Sequence, residues 1–397
     1  MALAAAVGVG PVASARADVV CDERCQAAWA QQRANAMPRT AFYDPPVPLP
    51  WAAAGTVIRR EAAAGYSVPA RVTRLLYHSR TGTGRDVAAS AVVLVPSGQP
   101  PRGGWPVVVD AHGTSGAARE CAPSLMRDLY HGDQMARFLG RGYAVIAPDY
   151  AGLGTDGRHA LGDKVAAADD VVNSVRAARQ GVPGLSRRWV VWGHSQGGGA
   201  ALAVAERQVR RPVDGYRGAV VTSPAALLRE TVGYAASRPG LGAFVALVAS
   251  GAHVSDPRID PARLLTAEAV GRLGSVRSGC LGVVSAVLGD LSGPGLVRSL
   301  DEPRFVRFLK ANSVGTERVA GPVLLLQGQA DSVIPVWMTD RVARALRGNG
   351  SAVDYRTYPG LEHDTYPGRV VGIDDGAMGD ILAWVARRFG GRGAGRT

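Results

Sequence analysis

Trp189-Val190-Val191-Trp192-Gly193-His194-Ser195-Gln196-Gly197-Gly198 is the stretch that decides the fold. Its four leading residues are apolar and read as a short buried strand. A Gly-x-Ser-x-Gly turn follows, and then an Ala-rich run of helical composition from Gly199 to about Val209. Strand, sharp turn and helix in that order are the setting of a nucleophile elbow, which the bare string is not. Such a turn holds its serine in a strained backbone conformation, and a Cβ at Gly193 or Gly197 would crowd it. The hydroxyl is thereby lifted above the carboxyl edge of a sheet. The next helix points its N-terminus, with free N–H groups and positive potential, at the place where an oxyanion forms.

Outward from the elbow, the pattern is that of a large α/β protein. Strand-like runs at 55–61, 72–79 and 87–95 come first, the last two separated by the turn Thr81-Gly82-Thr83-Gly84-Arg85. Continuous apolar runs follow at 107–110, 143–147, 189–192, 219–222, 322–326 and 353–358. Runs of this kind read as central parallel strands covered on both faces. Helical patterns lie between and after them, at 129–139, 164–179, 200–210 and 378–389. The alternation predicts a mostly parallel sheet with an antiparallel start. One connection is anomalous: about a hundred residues separate the strand ending near Ser223 from the one starting near Pro322. Its patterns are helical, at 226–236, 241–254, 261–273, 281–291 and 304–310. It leaves from the carboxyl edge of the sheet, where ligands bind in such folds, so it reads as a cap over the site. The division expected is 1–17 signal peptide, 18–54 N-terminal extension, 55–225 with 319–397 as core, and 226–318 as helical cap.

A serine is a weak nucleophile near neutral pH and needs a base, and that base needs a carboxylate to fix its tautomer. Of the seven histidines only His363, in Leu361-Glu362-His363-Asp364, combines a late position with a post-strand loop. Asp331, one short loop beyond the apolar run ending at Leu326, is the carboxylate of choice. Asp354 would open the last strand at the wrong edge, and Glu362 and Asp364 adjoin the histidine too closely to face its ring. Ser195, Asp331 and His363 also occur in the chain order this kind of site uses. Two N–H donors must meet the oxyanion. One is the Gln196 N–H; the second is expected from Ala111-His112-Gly113-Thr114-Ser115-Gly116, with Thr114 preferred and Gly113 next. His112 is expected to hold this loop, and His194 to pack away from substrate.

The chain has 397 residues, 47% hydrophobic and 20% charged, enough to bury a large core. The formal net charge of +12 is almost all arginine, since Lys164 and Lys310 are the only lysines. The basic residues are scattered, with no run interleaved with aromatics, so nucleic-acid binding is not expected. The apolar run at 3–12, followed by Ala15-Arg16-Ala17, has the form of a signal peptide with its cleavage site, although the usual charged start is missing, as in a truncated leader. No stretch has transmembrane length; the longest, 241–254, is interrupted by Gly242, Gly251 and His253. Four cysteines, Cys21, Cys25, Cys121 and Cys280, fit an oxidising compartment and allow three pairings. Their spacing matches no zinc site, and neither metal nor organic cofactor is expected.

His112-Gly113-Thr114-Ser115-Gly116, Cys121-Ala122-Pro123-Ser124, Ala147-Pro148-Asp149-Tyr150-Ala151-Gly152-Leu153-Gly154 and Gly193-His194-Ser195-Gln196-Gly197-Gly198 together resemble the secretory lipase family of fungi and actinobacteria. The motifs come in the family's order and span most of the chain. The resemblance implies an α/β-hydrolase fold with a helical cap between the sixth and seventh core strands, Ser195 as nucleophile with Asp331 and His363, and a carboxylic ester as substrate. It also implies a Cys121–Cys280 bridge between the oxyanion-loop region and the cap. The fungal branch uses an aspartate side chain near the matching loop, where this chain reads His-Gly-Thr.

The expectation is a secreted serine ester hydrolase of lipid catabolism, lipase or esterase, without cofactor. Its partner is a small or lipid ester, such as an acylglycerol, with transient contact with a lipid interface and no integral membrane segment. Two other readings compete. A serine peptidase of the same fold would need pocket carboxylates for a peptide N-terminus, and the cap is short of obvious candidates. A non-catalytic binding protein of this fold would have lost Ser195, Asp331 or His363.

Overall fold

The computed structural model describes residues 21–366 and 368–390. The segment at 1–17, expected to be a signal peptide, lies outside them. Nine strands form one sheet: β1 (Val57–Ala63), β2 (Arg71–Arg80), β3 (Asp86–Val95), β4 (Trp105–Ala111), β5 (Ala144–Pro148), β6 (Leu185–His194), β7 (Tyr216–Thr222), β8 (Val323–Gly328) and β9 (Val353–Tyr358). Their order is β1-β2-β3-β5-β4-β6-β7-β8-β9. From β1 to β5 neighbours run antiparallel, and from β5 onward every pairing is parallel. All nine correspond to runs predicted from sequence, displaced by a few residues at their ends.

Alternation along β6 shows why its run is apolar throughout. Trp189 and Val191 face one core, with Val171, Val175 and Leu202. Val190 and Trp192 face the other, with Met135, Phe138 and Ile381. Both sides are dry, so neither parity tolerates a polar residue. The first layer is built by α3 (Lys164–Gly181), α4 (Gln196–Arg210) and α13 (Val336–Gly348), the second by α2 (Gly132–Leu139) and α15 (Met378–Arg388), with the short α14 (Ile373–Gly376) leading into the last.

Between β7 and β8 lie eight helices: α5 (Leu228–Ala236), α6 (Gly242–Ser255), α7 (Pro261–Leu264), α8 (Ala267–Gly271), α9 (Gly274–Ser278), α10 (Leu281–Leu288), α11 (Gly293–Leu296) and α12 (Pro303–Asn312). Setting aside the edge strand β1, this is the connection between the sixth and seventh core strands. The insertion has its own apolar core, centred on Val245, Leu247, Val248, Val284, Leu288 and Phe305.

Several elements differ from the sequence reading. The helix expected over 261–273 is two short ones, because Thr266 stops the first and caps the next by accepting the Ala269 N–H (3.2 Å). The helix expected from 129 begins at Gly132, since Leu129 and Tyr130 take left-handed φ of 56° and 69°. The extension at 18–54 holds α1 (Glu23–Asn35), capped by Asp22 and stapled by the Cys21–Cys25 disulfide. α1 packs on α10 of the insertion, and its Gln32 accepts the Cys280 N–H (2.9 Å). The second disulfide joins Cys121 to Cys280. Among the described residues no helix is long and apolar enough to cross a membrane.

Candidate active site

β6 ends in Gly193-His194, and Ser195 follows at φ 56°, ψ −117°. This is the strained turn the sequence predicts, and the backbone is fixed on both sides of it. The Ser195 N–H donates to the Thr222 carbonyl of β7 (3.0 Å), and the Ser195 carbonyl accepts from Gly199 (3.1 Å) and Ala225 (2.9 Å). A Cβ on Gly193 would fall on the Gly197 carbonyl, and one on Gly197 would fall on that of Ala111. The glycines thus permit two contacts, turn on turn and turn on the loop after β4.

Asp331 lies in the loop after β8. Its Oδ1 accepts the N–H groups of Val333 (2.9 Å) and Ile334 (2.7 Å), and its Oδ2 accepts from Gln327 Nε2 (3.0 Å). His363, in the loop after β9, donates from Nδ1 to the same Oδ2 (2.9 Å). Both residues are buried. Burial works to raise the Asp331 carboxyl, but the adjacent His363 and these hydrogen bonds outweigh it and hold it below the usual carboxylate value. The Nδ1–H tautomer leaves Nε2 free to accept a proton. Among the described residues Ser195 Oγ makes no hydrogen bond. Glu362 and Asp364 do not face the ring's Nδ1: Glu362 caps the Ser332 N–H (3.0 Å).

His194 departs from expectation. Its ring does not pack away from the site; it lies 4.5 Å from that of His363, centroid to centroid. Its Nδ1 meets Asp374 Oδ2 at 3.2 Å, and its Nε2 faces Asp364 Oδ1 at 3.5 Å. Burial opposes its charge, but Asp374 and Asp364 outweigh that and hold the imidazole well above its usual value. Asp374 also accepts from Thr222 Oγ1 (2.5 Å). A further buried pair, His131 Nδ1 on Asp110 Oδ1 (3.0 Å), stands behind it. Sequence reasoning missed Asp374 and this pairing; Asp374 comes from α14, and no local motif marks it.

The loop after β4 is clamped. His112 donates from Nδ1 to the Gly113 carbonyl (2.7 Å), and burial lowers its pKa to about 3, so it is the neutral anchor expected. Tyr130 Oη donates to the Thr114 carbonyl (3.2 Å), and its left-handed backbone sets that reach. The main-chain N–H groups of Gly113, Thr114 and Gln196 make no hydrogen bond among the described residues. Nor does the buried Thr114 Oγ1. The loop is tied to the insertion through the Leu281 N–H to the Ser115 carbonyl (2.8 Å) and the Cys121–Cys280 disulfide.

A cavity of about 370 Å³ lies between core and insertion, lined in part by Gln196, His159, Leu228, Phe244, Val254 and Val314. In its lining Gln196 Nε2 donates to His159 Nε2 (3.2 Å), whose Nδ1–H reaches the Ala151 carbonyl (3.3 Å). Burial pushes the His159 pKa down to about 4. No sequence motif singled this histidine out.

Residues 132–396 match the family described as secretory lipase. No curated protein matches the chain. Among solved structures, Candida antarctica lipase A is similar at 19% identity and TM-score 0.76, over 91% of this chain and 88% of that one. The rice cell wall degrading esterase LipA from Xanthomonas oryzae is similar at 19% identity and TM-score 0.66, over 78% of this chain and 92% of that one. At these identities the structural likeness is one of fold.

Proposed function

The chain belongs to the secretory lipase family, a hydrolase of the lipase and esterase kind, and on that premise we propose that it cleaves carboxylic esters through an acyl-enzyme on Ser195. The observation that carries this is the 2.9 Å hydrogen bond from His363 Nδ1 to Asp331 in the loops beside a serine held at φ 56°. Ser195 Oγ attacks the ester carbonyl while His363 Nε2 takes its proton. The Gln196 N–H, with Thr114 and the Gly113 N–H of the facing loop, receives the oxyanion. The free N–H groups and the partnerless Thr114 hydroxyl support that role, since buried donors without acceptors await one. His363 then returns the proton to the departing alcohol, and water repeats the cycle on the acyl-enzyme.

The insertion at 226–318 acts as the cap of this site, and the cavity beneath it takes the apolar part of the substrate, as an acylglycerol or similar acyl ester would offer. Two disulfides and the leader-like sequence at 1–17 support secretion. Hydrolysis of p-nitrophenyl esters from acetate to palmitate tests the reading. Ser195→Ala should lower kcat about 10⁴-fold or more, and a fluorophosphonate probe should label the parent protein and not the variant. Full activity in Ser195→Ala would sink it.

A further inference from the structure

Two histidines beside Ser195 are oriented alike. His363 gives its Nδ1 to Asp331 (2.9 Å) and His194 gives its Nδ1 to Asp374 (3.2 Å). Each ring therefore has a buried carboxylate behind its Nδ1 and turns its Nε2 the other way. His194 Nε2 is buried and makes no hydrogen bond. A ring nitrogen of each histidine and a carboxylate oxygen of Asp364 lie within 4.8 Å of one another. His194 Nε2 stands 3.5 Å from Asp364 Oδ1.

That is the arrangement a transition ion selects. Ligating imidazoles donate their far N–H to a carboxylate, which fixes the tautomer and makes the free nitrogen a better donor. At Zn–N distances near 2.0 Å, ligand atoms of a tetrahedral site stand about 3.3 Å apart. The carboxylate of Asp364, with its side chain half exposed, has room to close the remaining gap.

We propose that His194, His363 and Asp364 form a binding site for a divalent transition ion, with Zn²⁺ the best fit, and that its occupation removes His363 from catalysis. Two imidazoles and one carboxylate suit Zn²⁺ or Cu²⁺ and not Mg²⁺ or Ca²⁺, which take oxygen ligands. The ion takes the His363 Nε2 lone pair that would accept the Ser195 proton, and any proton on His194 Nε2 leaves to solvent. The inhibitory half of this rests on the ester-hydrolase reading; the site itself does not.

Two measurements separate the halves. Co²⁺ is titrated into the full-length Ser195→Ala protein, followed by visible absorption. The tetrahedral d–d bands should appear, fall away on adding Zn²⁺, and weaken at least about tenfold in apparent affinity with Asp364→Ala or His194→Gln added. Absent bands, or bands indifferent to both substitutions, overturn the site. Then p-nitrophenyl acetate hydrolysis by the Ser195 protein is followed against free Zn²⁺, each variant normalised to its own metal-free rate. Inhibition should be reversed by EDTA and shifted at least about tenfold to higher Zn²⁺ in Asp364→Ala. Uninhibited hydrolysis with Co²⁺ bands present would overturn the inhibitory role alone. Failure of Ser195→Ala to lose activity would overturn the ester-hydrolase reading and leave the Co²⁺ result standing.

Discussion

Gly197 meets the loop after β4, the loop that also carries Thr114, and the constraints on the two residues are opposite in kind. Gly197 is defined by what cannot be added, because a Cβ there meets the Ala111 carbonyl. Gly197→Ala should destabilise the protein by about 1–3 kcal/mol, the range for overpacking a tight site, and abolish turnover by displacing Ser195. Thermal melts with ester kinetics check both. Thr114 is defined by what it lacks, an acceptor for its buried hydroxyl. Thr114→Val keeps the shape and removes an unpaired polar group, so stability should hold or rise slightly. If that hydroxyl meets the oxyanion, kcat should drop about 10²–10³-fold, with Thr114→Ser restoring most of it. Equal kcat in Thr114→Val would exclude the hydroxyl as donor and leave the main-chain N–H. At this scale Ser195, Asp331 and His363 were legible, because each follows a recognisable strand and their order is informative. Asp374 was not: it reaches His194 across 180 positions, and nothing near it in sequence marks the approach.

Strands were more legible than helices, and the reason is burial. β4, β6, β7 and β8 are covered on both faces over their central residues, so apolar residues run on there. α13 was missed although Met338, Val342, Ala343 and Leu346 are buried along one face, because arginines at 341, 344 and 347 break the apolar run between them. α1 was missed because it is mostly exposed and borrows order from the disulfide and from α10. The joints of the insertion matter more than its helices for function. Cys121–Cys280 closes a loop of sequence separation 159 and fastens the insertion to the segment bearing Thr114. The Cys121→Ser/Cys280→Ser pair should lose about 3–5 kcal/mol of stability, by the loop-closure argument. Limited proteolysis should cut within 226–318 well before the core. An unchanged Tm and cleavage pattern would mean that α1 and the Leu281–Ser115 hydrogen bond hold the insertion alone.

Over the whole molecule, buried titratable groups set how stability responds to pH, and they pull in opposite directions. Burial raises the carboxyl of Asp149 to about 6 and that of Asp170 to about 7. Their native forms bind protons that the unfolded chain has released, so the stability they contribute is present at low pH and lost as pH rises through those values. His159 does the reverse. It is neutral in the fold with a pKa of about 4, against 6.5 when free. Below pH 6.5 the unfolded chain gains a proton that the native state refuses, so acidification toward pH 4 costs up to about 3 kcal/mol. His159→Gln keeps an acceptor for Gln196 and removes the titration. Unfolding free energies of parent and variant, from urea melts at intervals between pH 4 and 8, isolate this one group because the carboxyl contributions cancel in the difference. That difference should climb in the parent's favour from pH 4 to 6.5 and stay flat above it. Parallel curves would mean that His159 takes up its proton in the folded state as readily as in the unfolded one. The cavity wall would then carry a charge in mild acid, beside the residue that follows Ser195, and apolar acyl groups would be poorer substrates there than at neutral pH.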